Sequence, residues 1–426
     1  MSSIDPQQII KFHRELFSEF LDSAGFLYEQ RSALLDRAGF KWTDIQSVED
    51  RIELFLDGLV VGGDEALAVC ANATTATPGE LHVACRILLR QNQLEKLLHV
   101  LSEADEAGPE ARRAAADALG LETADGWQKS LVQAAMRSGK AASVVVRFAG
   151  YARLPVRGWL LRLVEKGVAL APALWALGRL PADPASLAIM RPCLDHADMA
   201  VKASAALALL RLRDQTTLDT CLRALERGET WAALPVALSG GPGSMPRLFA
   251  LVENGAAGSV EVVEAISVLG AVGGVELLLK AVAEKTSSAA AAAGLFRLTG
   301  VDVPQPAERA GDDELFPDEL EARNANPAPP SEVELASRWC AFWEQNHAHF
   351  DPKTRWIFGK PASAAALVEC LEAPTMPRRH RDLAYDELAI RFGATQAFET
   401  DFPVVEQKRA LVALEAFASA CSPKRI

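Results

Sequence analysis

No run of apolar residues in the 426-residue chain reaches the ~18 to 20 that a membrane-spanning helix requires. The longest such stretch, "VALAPALWALGRL" (168–180), is short and is broken by Pro172 and Arg179, so no membrane partner is expected. The first residues, "MSSIDPQQIIKFHRELF", carry no basic leader followed by an apolar block, and a secretory signal is not expected. Cysteine is sparse: seven residues, an odd number, lie scattered at 70, 85, 193, 221, 340, 370 and 421 with no CxxC pair. That spacing gives no disulfide framework, and the thiols read as reduced and mostly buried, as in a cytoplasmic protein. Positive charge is also short. The formal net charge is −12, and between Asp302 and Glu332 nine acidic residues face only Arg309 and Arg323. This is the wrong sign for a nucleic-acid partner.

Glycine-rich phosphate loops are missing as well. "DRIELFLDGLVVGGDEA" (50–66) places Gly62-Gly63 before Asp64 and Glu65, where a phosphate loop needs a lysine and a hydroxyl. Ile52, Phe55, Leu56 and Leu59 recur at helical spacing, so the glycines read as a helix end, with Asp64 and Glu65 opening the next helix. "SGGPGS" (239–244) likewise lacks a lysine or a GxSxG pattern and reads as a permissive turn.

What the chain has is a repeat. Leu119, Phe148, Leu177, Leu209, Leu238, Leu269 and Leu298 end similar apolar segments at steps of 29, 29, 32, 29, 31 and 29 residues. One step back falls on Leu88-Leu89. Each anchor is followed by a break and a second apolar segment, such as "WLLRLVEKG" or "RLFALVENG". Two helices in about thirty residues make a helical hairpin, and stacked hairpins make an α-solenoid. The tetratricopeptide and ankyrin consensus residues are absent. Alanine-rich first helices such as "ARRAAADALG", paired with leucine-rich second helices, resemble short bacterial HEAT repeats. No segment alternates over strand length with hairpin turns at its ends, and "AASVVVRFAG" (141–150) keeps the helical register, so the fold class is all-α.

Four segments follow. Residues 1–76 form a helical N-terminal cap, with Phe12, Phe17, Phe20, Leu21, Leu27 and Leu34 on one side of a long helix. Thr43 and Gln46 have capping-box spacing before the next helix. Residues 77–300 hold the repeats. Residues 301–330, with six prolines and many acids, form an extended strap or linker. Residues 331–426 form a helical C-terminal module with Leu335, Trp339, Phe342 and Trp343 along one side of its first helix.

The marks at both ends resemble an uncharacterised bacterial family of HEAT-repeat proteins, about 400 residues long, often encoded beside type VI secretion genes. At the N-terminus these marks are Gln30-Arg31 in "LYEQRSALL", Asp50-Arg51-Ile52-Glu53, and Leu56-Asp57-Gly58-Leu59. At the C-terminus they are Trp339 and Trp343, Arg355-Trp356 with Gly359 and Pro361, and Glu387-Leu388. The resemblance covers nearly the whole chain. It departs where the strap lacks a clean Leu-Pro-x-Pro-Asp block, and at Cys340, where a second tryptophan would stand. The gene context implies an accessory, adaptor or chaperone-like role, such as holding an effector or spike-tip protein before loading.

No catalytic, cofactor or metal site is expected. His347 and His349 point about 200° apart on a helix and fall short of a zinc ligand set. No histidine precedes a glutamate, so the paired motifs of a HEAT-type di-iron hydroxylase are missing. A tetrapyrrole lyase remains as an enzymatic rival and a HEAT-like DNA-binding glycosylase as another; the latter needs a basic groove the composition does not supply. The reading is a non-enzymatic scaffold for a protein partner. Its candidate contact residues are Trp159, Trp175 and Trp231 in the repeats, Arg355 and Trp356 in the C-terminal turn, and Arg378, Arg379 and Arg381 of "PRRHRD". Large aromatic and arginine side chains carry most binding energy at interfaces. The basic run could equally clamp the acidic strap.

Overall fold

The computed structural model describes residues 6–37, 39–72, 77–122, 125–139, 141–253, 259–302 and 330–421. These are mostly helical, and their one sheet is a two-stranded hairpin, β1 (Trp356–Ile357) and β2 (Lys360–Pro361), with Trp356 opposite Pro361. None of the described helices is long and apolar enough to cross a membrane. The chain divides into two compact units. The first comprises residues 1–217 with 377–382 and 393–414; the second comprises 218–376 with 383–392 and 415–426. The C-terminal residues therefore do not gather by themselves. They distribute between the two units. Of the strap at 301–330, residues 303–329 lie outside the described residues, and so does its contact with the basic 378–381 run.

The first unit opens with α1 (Pro6–Asp36), against which α2 (Gln46–Val61), α3 (Gly63–Ala71) and α4 (Pro78–Arg90) pack. Phe17, Leu21 and Leu27 are buried there, while Phe20 and Leu34 are half-buried. Phe12 is 61% exposed, so the apolar stripe is uncovered over its first turns. The break at Gly62-Gly63 is the helix end that the sequence implies: Gly63 takes φ +54°, and Asp64 and Glu65 occupy the first turn of α3. Thr43 does not cap α2. Trp42–Ile45 is a 3-10 turn, and α2 starts at Gln46 without a side-chain cap. The tighter turn buries both Trp42 and Ile45, which outweighs one capping bond. A capping box forms instead at Thr77, whose hydroxyl accepts from the Glu80 N–H while Glu80 accepts from the Thr77 N–H. At the crossing of α1 and α4, a Cβ on Gly79 would lie within 2.1 Å of the Gly25 carbonyl oxygen, so only glycine permits that approach.

From α4 onward, alternate helices form a row. α4 packs on α6 (Pro109–Glu122), α6 on α8 (Ala142–Tyr151), α8 on α10 (Leu170–Leu177), and α10 on α12 (Met199–Arg211). Beside them lie α5 (Leu94–Ala107), α7 (Asp125–Ser138), α9 (Arg157–Glu165) and α11 (Pro184–Met190). In the second unit α14 (Ala233–Ser239), α16 (Val260–Leu269) and α18 (Ser288–Thr299) form a row, with α15 (Met245–Leu251) and α17 (Val275–Val282) alongside. The seven repeat anchors fall one per row helix, from α6 to α18, and none is more than 1% exposed. The β-branched run 144–146 is helical because all three valines are buried in the row, and that burial overrides their weak helix preference. Further along, helix Glu332–Asn346 starts at the capping hydroxyl of Ser331 and packs on α17, burying Trp339.

Candidate functional site

In the first unit, side chains from α1, α2 and the row helices and their ends hold a non-helical stretch of the C-terminal chain. Arg153 donates to the carbonyl oxygens of Thr395 and Gln396, and Arg179 to Glu399 at 3.2 Å. Arg113 pairs with Asp401, which Arg378 also reaches at 2.9 Å and Arg147 at 3.8 Å. Arg31 donates to the Phe402 carbonyl at 3.0 Å, and Glu49 accepts from the Val404 N–H at 3.0 Å. Tyr151 sets its ring 5.6 Å from that of Phe402. Burial works against the Asp401 carboxylate, yet Arg113, Arg378 and Arg147 hold its pKa below the ordinary value. Arg113 and Arg147 lie on α6 and α8, Arg153 and Arg179 just past the ends of α8 and α10, and Arg31 on α1, so five cations from different elements meet on this one segment.

Under the end of this segment lies a cavity of about 180 Å³. Its wall includes Tyr28 from α1, His82 from α4, Asp117 from α6, Ile52 from α2, and Asp401 and Val405. The Tyr28 ring stacks on His82 at 3.9 Å and 15°. His82 Nδ1 lies 3.0 Å from the Ala114 carbonyl oxygen; a carbonyl only accepts, so Nδ1 carries the proton. Burial, with Arg86 nearby, pushes the His82 pKa well down and keeps the ring neutral. The Tyr28 hydroxyl donates to Asp117 Oδ2 at 2.8 Å, whereas the buried Asp117 Oδ1 has no partner. Burial and the Asp401 charge raise the Asp117 carboxyl to about 6, against the pull of Arg147, Arg113 and the Tyr28 bond. Beside the cavity Arg86 pairs with Glu53 at 2.6 Å and donates to Glu122, and Arg90 shares both carboxylates. The result is a cavity with a polar and aromatic wall, where the Asp117 carboxylate also lies 4.0 Å from the Arg113 guanidinium.

The second unit is organised around Glu387, which is fully buried. Its carboxylate pairs with Arg297 and Arg355 at 2.6 Å each and with Arg391 at 2.7 Å. Three cations around one anion leave an excess of positive charge, and helix ends balance it. Arg355 donates to the carbonyls of Val268 and Leu269 at the end of α16. Arg391 donates to those of Ala237, Ser239 and Gly240 at the end of α14. The partial negative charge of a helix C-terminus suits a guanidinium. The hairpin closes on the ends of α16 and α18: the Trp356 N–H donates to the Gly270 carbonyl at 2.8 Å and the Gly359 N–H to that of Leu298 at 2.9 Å.

Of the candidate contact residues, Trp159 and Trp231 are 6% and 7% exposed and belong to the core. Trp175 is half-buried beneath the Arg179 guanidinium, 3.5 Å above its ring. Arg355 is buried in the Glu387 cluster, and Arg381 lies fully buried over the Trp42 ring at 4.0 Å. Arg378 is buried against Asp36 and Asp401. These side chains serve packing and pairing inside the chain. Arg379 is exposed. Trp356 is half-exposed, with Phe350 at 4.9 Å and Trp343 a further 5.3 Å from Phe350, forming an aromatic surface on the second unit. His347 and His349 sit exposed on a 3-10 turn. No group of three or more metal-ligating side chains occurs among the described residues.

Sequence reasoning passed over Tyr28, Asp117 and Asp401. A signal for Asp117 exists: it is an acid on the apolar face of "ARRAAADALG", where a solvent-facing residue is out of register. Asp401 gives no comparable signal, because two of its three partners, Arg113 and Arg147, lie far earlier in the chain, Arg113 by 288 residues. Comparison with protein-family models, with curated proteins and with solved structures gave no match.

Proposed function

We propose that the chain is a helical-repeat binding scaffold, a HEAT-like solenoid that acts by holding another protein rather than by catalysis. The observation that carries this reading is the first unit's row of helices. Arginines of α6 and α8, at the ends of α8 and α10, and on α1 grip a non-helical segment, residues 395–402, through its carbonyls and carboxylates. Stacked helical hairpins ordinarily present long concave surfaces that serve binding. The chain's most buried charges also serve architecture: Glu387, Arg297 and Arg355 tie helix ends together.

From its resemblance to the family beside type VI secretion genes, the partner we propose is a secretion effector or spike-tip protein, held in the cytoplasm before loading. The aromatic surface of Trp343, Phe350 and Trp356 is the contact surface of choice, because hot spots concentrate in large aromatic residues. The test is direct binding of the purified chain to purified effectors and spike-tip proteins of the native host. Trp356→Ala should weaken the one productive complex by roughly 2 kcal/mol or more while the melting temperature holds. Binding to none of them removes the secretion role, and unchanged binding by Trp356→Ala removes the aromatic surface.

A further inference from the structure

Away from the buried cavity, the first unit carries an open groove of about 530 Å³ between α1 and α2. Ser23, Phe26 and Leu27 of α1 and Phe55 of α2 line it, with Asp22 on one rim and Arg51 on the other. We propose that this groove receives an amphipathic helix of a protein partner. The apolar face of that helix enters the groove, and lysines or arginines run along its flank toward α1 and α4. The first observation is apolar surface that the chain leaves uncovered. Leu27 is buried and Phe55 half-buried, whereas Phe26 is 64% exposed. Phe12, 61% exposed, stands two heptads earlier and so on the same side of α1, with the half-buried Leu16 between them. The strip from Phe12 to Phe26 is about 21 Å long, roughly four helical turns, and suits a helix with anchors at i, i+3 or i+4, and i+7. α1 starts the row by packing on α4, and the end of a stacked row ordinarily turns a polar side to water. Exposed aromatic surface at such an end marks an interaction site.

The second observation is charge. Asp22 and Glu29 of α1 crowd against Glu80 of α4 along one flank of the groove. Burial, and then Asp22 and Glu29, raise the Glu80 pKa against the pull of its bond to the Thr77 N–H. Glu29 accepts from the Gly79 N–H at 3.1 Å, and none of the three acids forms an ion pair among the described residues. Glu19, exposed on α1 between Phe12 and Phe26, adds a further acid. A neutral or acidic helix would leave this flank uncompensated, whereas a row of lysines or arginines neutralises it. Arg51 is the one cation lining the groove, and it stands on the α2 rim. A partner acid on the opposite flank meets it there, so the two rims together fix the direction in which the helix lies.

The test is fluorescence anisotropy of a labelled model peptide of about 18 residues, five helical turns, titrated with the full chain. The peptide carries Leu and Phe on one face, Lys along one flank and Glu along the other. A second peptide has Glu in place of every Lys, and a third scatters the same residues around the helix. Saturable binding of the first, with the other two at least about tenfold weaker, is the expected result. Because the whole chain is acidic, variants locate the site. Phe26→Ser and Asp22→Lys should each weaken binding by about tenfold or more. Both residues are exposed, so the melting temperature should hold. Val412→Ser, at a 65% exposed position of the same unit outside the groove, should leave binding unchanged. Absence of saturable binding, equal binding of either control peptide, undiminished binding by either groove variant, or an equal loss with Val412→Ser overturns the proposal. So does sedimentation showing a dimer of the chain that Phe26→Ser dissolves, which gives the groove to a second copy.

Discussion

Truncating Glu387 to alanine removes an anion shared by Arg297, Arg355 and Arg391. Glu387 and Arg297 are 0% and 1% exposed, so water cannot readily replace the lost partner. Breaking a buried ion pair by removing one member costs about 3–5 kcal/mol, because the other charge is left uncompensated. Here three cations lose the same partner, and Arg355 and Arg391 keep their carbonyl acceptors at the ends of α16 and α14. The expected loss therefore sits in that range rather than at three times its value. For a unit in the 150–250-residue class each kcal/mol shifts the melting temperature by about 2–4 °C, so Glu387→Ala should lower it by roughly 6–20 °C. Glu387→Gln, which keeps the volume and one acceptor oxygen but loses the charge, should fall between. Differential scanning calorimetry of the full chain reads both. A shift of under about 2 °C for Glu387→Ala would show that the arginines are satisfied without the carboxylate, and would refute the argument.

Asp117 predicts a pH dependence of the opposite sense to an ordinary salt bridge. Its carboxyl is raised to about 6 from 3.8, so the folded chain holds the proton more tightly. That stability is fully present below the unfolded value and is lost as pH rises through about 6, by up to about 3 kcal/mol. Asp117→Asn should flatten urea-unfolding stability across that window, and parallel wild-type and variant curves would contradict this. Trp159→Ala and Trp231→Ala should each destabilise the fold by about 3–5 kcal/mol in thermal or urea melts, as buried aromatics do. Cys340 is exposed, whereas Cys70, Cys85 and Cys221 are buried, with thiols pushed up to about 12 by burial. Mass spectrometry should find Cys340 alkylated well before those three; equal rates would contradict the packing.

The helix row was legible because a thirty-residue step with buried anchors is a local signal, repeated seven times. The break at Gly62-Gly63 was legible for a similar reason, since its acids and its positive φ belong to adjacent residues. The Thr43 cap was not, because the burial of Trp42 and Ile45 decided the turn. Sequence also displays Arg355, Arg381 and Trp231 as large interface-forming side chains without showing that they are consumed inside the chain. Arg355 meets Glu387 across 32 residues, and Arg381 meets a tryptophan far earlier in the chain. Pairings of that range leave no spacing to read. Hence the separate marks Arg355 and Glu387 gain a common reason only in the fold, as two members of one buried cluster.

We propose that the chain holds a secretion partner, and the export profile of the native host tests this most directly. A strain lacking the gene should assemble a working secretion apparatus yet deliver markedly less of one effector. Restoring the wild-type gene should recover that effector, while a Trp356→Ala copy should not. Normal export of every effector by the deletion strain would contradict the account and leave only the helical scaffold standing.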